Sequence, residues 1–115
     1  MLTVYQENLP AGHLLVLATG GSPPADAELA RALQVACHSG KPAVWVDCRL
    51  LDSLPLTAAR QLWAFHLRQW RRGGLLVLCH VSKRLSWVLH QAASRMGPAL
   101  HIAASLDEAA AYTAG

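Results

Sequence analysis

The chain of 115 residues is 53% hydrophobic and carries a formal net charge of +3, enough apolar material for one compact core and too little length for a second ordinary domain. Its longest apolar run, Leu14 to Ala18, is far too short to span a bilayer, and MLTVYQENLPAGH lacks the basic head and long apolar stretch of a secretory signal. The expectation is therefore one cytoplasmic domain over residues 1–115, with no transmembrane segment.

Ten Lys and Arg against seven Asp and Glu give a pI near 9.1. That surplus does not favour nucleic acid as a partner over ordinary solvated helix faces. Cys37, Cys48 and Cys79 are widely spaced with no C-x-x-C, the pattern of reduced, mostly buried thiols.

Thr3 to Glu7 reads as a short strand, NLPAG as a turn, and HLLVLA (13–18) as a stronger strand, the spacing of a β-hairpin. TGGSPPA breaks the chain. Pro23 and Pro24 suit the approach to a helix, and Asp26 and Glu28 suit its positive end. Leu29, Leu33 and Ala36 then recur at helical spacing, with Gly40 in HSGKP as the stop. AVWVD (43–47) is the next strand, followed by a bend from Asp47 to Pro55 and a long helix from Leu56 to Arg72. LLVLC (75–79), continuously apolar, has the composition of a central parallel strand covered on both faces. A helix over 82–96 closes at Gly97-Pro98, ALHIA (99–103) forms a last short strand, and Ser105 with Glu108 opens the final helix as a capping box. The order β-β-α-β-α-β-α-β-α predicts an α/β fold with a mixed, largely parallel sheet, right-handed crossovers and helices packed against it.

In this order of elements, in VWVD, in GGLLVLCHVSKRLSWVLHQAA and in IAASLDEAAAY, the chain resembles a STAS domain, the fold shared by bacterial anti-sigma factor antagonists and the cytoplasmic tails of sulfate transporters. The resemblance implies a non-catalytic regulatory domain whose partner is an anti-sigma factor kinase or related regulator. In the family, an Asp-Ser-Ser/Thr-Gly run opens the helix after the central strand, and a partner kinase phosphorylates its serine or threonine. Aligned on that pattern, Pro55, Leu56, Thr57 and Ala58 occupy the four places, so only the Thr57 hydroxyl survives. Leu56 and Thr57 are thus the equivalents of the phosphorylation site, with the switch degenerate. A phosphate there would need free N–H groups at the helix end; Pro55 removes one, and the more common role of a threonine such as Thr57 near a first turn is to cap or solvate it.

Other chemistry has little support. Asp47, Asp52 and Ser53 share one bend, but no histidine lies near in sequence to act as a base, and LDSL is an ordinary turn. Asp47 is expected to accept loop or helix N–H bonds. The six histidines show no ligand spacing, so no metal is expected. HSGKP and TGGSPP lack the spacing of phosphate- or dinucleotide-binding loops, and no other cofactor is implied.

The aromatics say more. On the helix from Leu56 to Arg72, Leu56, Ala59, Trp63, Leu67 and Trp70 fall on one apolar stripe, which sets Phe65 on the outer side among arginines. On the next helix Leu85, Val88, Leu89, Ala92 and Met96 form the stripe, and Trp87 points away. Phe65 and Trp87 are then either contacts on a basic partner-binding face or rings folded back along their own helices. The partner surface suggested by these observations comprises Ser53, Leu54, Pro55, Leu56, Thr57 and Arg60, extended by Phe65 and Trp87; a homo-oligomer is compatible with it. The alternatives are a STAS-type domain that binds a small ligand, lipid or nucleotide, and a basic module for membranes or nucleic acid. An enzyme ranks last.

Overall fold

The computed structural model describes residues 2–10, 12–19, 25–52, 54–92 and 100–114. Their elements follow the expected order: β1 (Leu2–Asn8), β2 (His13–Thr19), α1 (Ala25–His38), β3 (Ala43–Leu50), α2 (Leu56–Arg71), β4 (Leu75–Cys79), α3 (Lys83–Ala92), β5 (His101–Ala103) and α4 (Leu106–Ala114). The strands form one sheet in the order β1-β2-β3-β4-β5, with β1–β2 antiparallel and every later pair parallel. A right-handed crossover carries the chain to the next strand along the sheet each time, so the crossover helices gather on one face.

Strand alternation divides the apolar residues between the two faces. Leu15, Leu17, Val44, Val46, Cys48, Leu76 and Leu78 pack against Leu29, Leu33 and Ala36 of α1, Leu62 and Phe65 of α2, and Leu85 and Leu89 of α3. The opposite face carries Leu14, Trp45, Val77, Cys79 and Ala103, packed against Ala109 of α4. β4 is buried along its length after Leu75, as its composition requires.

Local signals place the ends. The hairpin turn closes through Leu9 N–H donating to Gly12 O at 2.8 Å. A Cβ on Gly12 would lie 2.9 Å from both Ala43 O and Trp45 Cη2, so only glycine admits this approach. Gly40, at φ 74°, follows α1 as the expected stop. The expected cap forms in part: Glu108 N–H donates to Ser105 Oγ at 3.2 Å, while the Glu108 carboxylate reaches back to the N–H of Ala104, at 3.2 Å, rather than to that of Ser105. Ser82 does the same for α3, accepting from Leu85 N–H at 3.2 Å. Ala92 lies at the end of α3, while Met96 and Gly97-Pro98 lie outside the described residues.

Two expectations change. β3 continues to Leu50, three residues past Asp47, because Cys48 extends the buried alternation of Val44 and Val46. The inward face of α2 is Ala58, Ala59, Leu62, Phe65, His66 and Gln69 with Trp63 at its flank, rather than the stripe through Leu56 and Trp70. Leu56 and Trp70 are exposed.

Candidate partner-binding surface at the carboxyl end of the sheet

The chain leaves β3 at the carboxyl edge of the sheet, where loops of α/β folds carry their ligands and partners. The strand end is tied off locally. Arg49 N–H donates to Asp47 Oδ1 at 3.0 Å, Arg49 Nη2 lies 4.0 Å from Asp47 Oδ2, and Leu51 N–H donates to Cys48 O at 3.1 Å. Asp47 is thus an acceptor near the end of β3, bonded to a strand N–H two residues on rather than to the loop or helix N–H groups expected. Leu51 and Leu54 then turn inward and join the core cluster.

This corrects the sequence reading of Leu54. At 5% exposure it is a buried anchor of the turn, not a partner contact. Phe65 is corrected likewise: at 2% exposure it fills the core beneath α2, because the helix is rotated relative to the expected stripe. Both rings expected to mark the outer face were placed by the same periodicity, and only Trp87, 64% exposed, stands there.

Pro55 sits at the N-cap of α2 with extended backbone (φ −60°, ψ 146°) and makes no side-chain cap; no acidic residue lies in the first turn. Ala59 N–H closes the turn on Pro55 O at 3.0 Å, and Ala58 and Ala59 are wholly buried beneath it. The packing leaves Pro55, Leu56, Thr57 and Arg60 exposed together on the outside of one helical turn. Asp52 is also exposed, and Ser53 lies outside the described residues. Leu56 is 41% exposed, and Leu50, 53% exposed at the end of β3, adds an apolar residue absent from the sequence reading. Alternation through Val46 and Cys48 carries the strand past Asp47 but would turn Leu50 inward, so its exposure had no signal in the sequence.

The thiols offer no nucleophile in this region. Burial pushes the Cys48 thiol up to about 12, helped by Cys79 and Asp47, and burial followed by Asp47 pushes Cys79 up to about 11. Both stay protonated near neutrality, and Cys79 Sγ donates to Val46 O at 3.6 Å. All three cysteines are free, with Cys37 only half-buried. Among the described residues no group of three His, Cys, Asp or Glu side chains could hold a metal ion. None of the described helices is long and apolar enough to cross a membrane.

The fold itself has solved counterparts. A variant of RsbS from Moorella thermoacetica superposes with a TM-score of 0.78 at 11% identity, over 96% of this chain and 94% of that one. An anti-sigma factor antagonist from Mycobacterium paratuberculosis gives 0.77 at 14% identity, over 100% and 96%. The chain has the STAS fold. The unphosphorylated form of the anti-sigma factor antagonist SpoIIAA gives 0.70 at 12% identity, over 96% of each chain. No protein-family model matches the sequence, nor does any curated protein. In this STAS fold the turn after β3 and the start of α2 are where the sequence resemblance sets the phosphorylation-site equivalents Leu56 and Thr57.

Proposed function

We propose that this STAS domain is a non-catalytic regulatory domain of the bacterial cytoplasm that binds a protein partner, an anti-sigma factor kinase or a related regulator, through the exposed first turn of α2. The observation that carries the reading is the joint exposure of Leu56, Thr57 and Arg60 on the first turn of α2, with Leu50 exposed at the end of the preceding strand, around a turn whose own anchors, Leu54, Ala58 and Ala59, are buried. The anchors hold the turn in one conformation, so little entropy is lost when a partner docks on it. Leu50 and Leu56 supply desolvated apolar contact, Arg60 supplies a charge for an acidic group, and Trp87 extends the surface along α3. Solved anti-sigma factor antagonists of the same fold support a regulatory role.

The test is affinity purification from source cells with wild-type, Leu56→Asp and Tyr5→Ala baits. Tyr5, exposed on edge strand β1, lies away from the proposed surface. The reading requires a protein with a kinase or anti-sigma domain that is retained by wild-type and Tyr5→Ala baits and lost with Leu56→Asp. Equal retention by Leu56→Asp, with both variants folded by circular dichroism, overturns the surface.

A further inference from the structure

The sheet ends in two edges of unequal length. β5 has three residues, too few to template another chain, whereas β1 has seven (Leu2–Asn8) and pairs with β2 along its whole length without a bulge. A long regular edge presents a row of unpaired N–H and C=O groups, which proteins ordinarily blunt with proline, lysine, a bulge or a covering element. LTVYQEN holds no proline and no lysine, and Tyr5, Gln6, Glu7 and Asn8 are all exposed.

One contact does cover this edge. Val4 N–H donates to Glu28 Oε1 at 3.1 Å, across 24 residues of sequence. Glu28 stands in the first turn of α1, which packs over β1 and takes the Val4 side chain into the core beneath it. An N–H that meets a side chain from α1 is not spent on β2, so Val4 points its main-chain groups out of the sheet. The alternation of an antiparallel pair then sets the N–H and C=O of Gln6 and Asn8 outward as well.

Those outward groups are self-complementary. Two copies of β1 can run antiparallel about a two-fold axis, with outward residues paired and exchanging N–H···O bonds. The registers that overlap more than half of the strand are centred on Val4, Tyr5 or Gln6, and they set Val4 opposite Val4, Gln6 or Asn8 of the second copy. Val4 N–H is used in all of them. Because the axis repeats every contact, Glu28 takes a donor from both strands at once. An arriving strand would also have to drive the carboxylate out into water or trap it beside the new ladder, at a cost in desolvation.

We propose that β1 is a gated edge: Glu28 keeps it closed, and without that bond β1 pairs antiparallel with β1 of a second copy of this chain. The pairing lies at the outer strand of the sheet and uses no residue of the α2 turn.

Sedimentation equilibrium of the full chain reads the gate. Wild type and Glu28→Gln, whose amide oxygen still accepts from Val4 N–H, should share one mass, and Glu28→Ala should double it at millimolar concentration. Adding Gln6→Pro to Glu28→Ala strips an outward donor from every one of these registers, at a position where an edge strand tolerates proline, and should halve the mass again. Hydrogen exchange on wild type should show the Val4 amide protected and those of Gln6 and Asn8 fast; in Glu28→Ala the latter two should gain protection as concentration rises. Equal masses for wild type and Glu28→Ala, both folded by circular dichroism, overturn the proposal. So does a doubled mass that Gln6→Pro leaves intact, or doubling by Glu28→Gln. A wild-type Val4 amide that exchanges as fast as those of Gln6 and Asn8 overturns it whether or not the variants fold. Assemblies that grow beyond a doubling would mean pairing with an edge other than β1, and overturn the two-fold contact.

Discussion

Phe65 and Trp87 began with the same expectation and ended on opposite sides of the surface, which makes them a direct test of burial against sequence position. Phe65 fills the core under α2, so Phe65→Ala removes a buried ring and leaves a cavity; the expected cost is about 3–5 kcal/mol. Trp87→Ser deletes a ring that stands mostly in water, with an expected change within about 0.5 kcal/mol. Urea unfolding of both variants checks this, and a Phe65→Ala midpoint equal to wild type would restore the outer-face reading. His13 gives a second residue-scale consequence. Burial holds its pKa below the usual 6.5, so the unfolded chain binds a proton that the folded one refuses. The stability it contributes is complete above about pH 6.5 and is lost as pH falls from there towards the folded value, with a slope of at most about 1.4 kcal/mol per pH unit. Unfolding midpoints at pH 7.5, 6.5 and 5.5 should fall in that order, and His13→Gln should flatten the part of the slope that belongs to this ring. A wild-type midpoint that does not move over this interval refutes it.

At the level of the element, α2 shows where sequence legibility ends. Helix and strand existence was readable from caps and breaks: Gly40 stops α1, Ser105 and Glu108 cap α4, and both behave as their chemistry dictates. The rotation of α2 was not readable, because apolar residues surround it. Ala58, Leu62 and Phe65 make one plausible stripe and Leu56, Trp63 and Trp70 another, so the 3.6 period fits both. Tertiary anchors decide: Leu51 and Leu54 pin the entry, and Gln69 Nε2 lies 3.2 Å from where a Gly74 Cβ would stand, in space that a larger residue would take. The rotation exposes Leu56 at the first position of a helix with no acidic residue in its first turn. A carboxylate there favours the positive helix end, so Leu56→Asp should keep the melting temperature or raise stability by about 0.3–1 kcal/mol while abolishing partner binding. A cooperative melt shifted well below wild type would instead make Leu56 a core residue. The same turn bears on regulation. If Leu56 stands at the place of the family serine, as the resemblance implies, incubation with a partner kinase should leave the chain without stoichiometric phosphate, and any modification of the turn should map to Thr57 or Ser53. Full occupancy of Thr57 by phosphopeptide mapping would show a working switch.

For the whole molecule, the sheet is covered unequally. α1, α2 and α3 share one face, whereas the other face rests on α4 among the described residues. Strand composition announced that both faces are covered, since β4 is apolar on each, but it carries no information about which helix does the covering. The Ala-rich α4 has too weak a stripe to declare its side, and only the assembled sheet shows Ala109 meeting Trp45, Val77 and Ala103 in one cluster. Ala109 has no exposure, so Ala109→Asp forces a carboxylate against apolar side chains. The helix must then lift away or the charge must be neutralised, and either route costs several kcal/mol. Lifting α4 uncovers Trp45, which is otherwise 3% exposed. In a background where exposed Trp70 and Trp87 are Phe, acrylamide quenching should rise on Ala109→Asp. The distinction from global unfolding comes from the face covered by α1, α2 and α3, which holds Leu15 and Leu17 of β2: if only the back face opens, amide protection along β2 survives while that of α4 is lost. Equal loss in both would mean that α4 is not a separable cover but part of a single cooperative core, and unchanged quenching would place Ala109 outside the packed face.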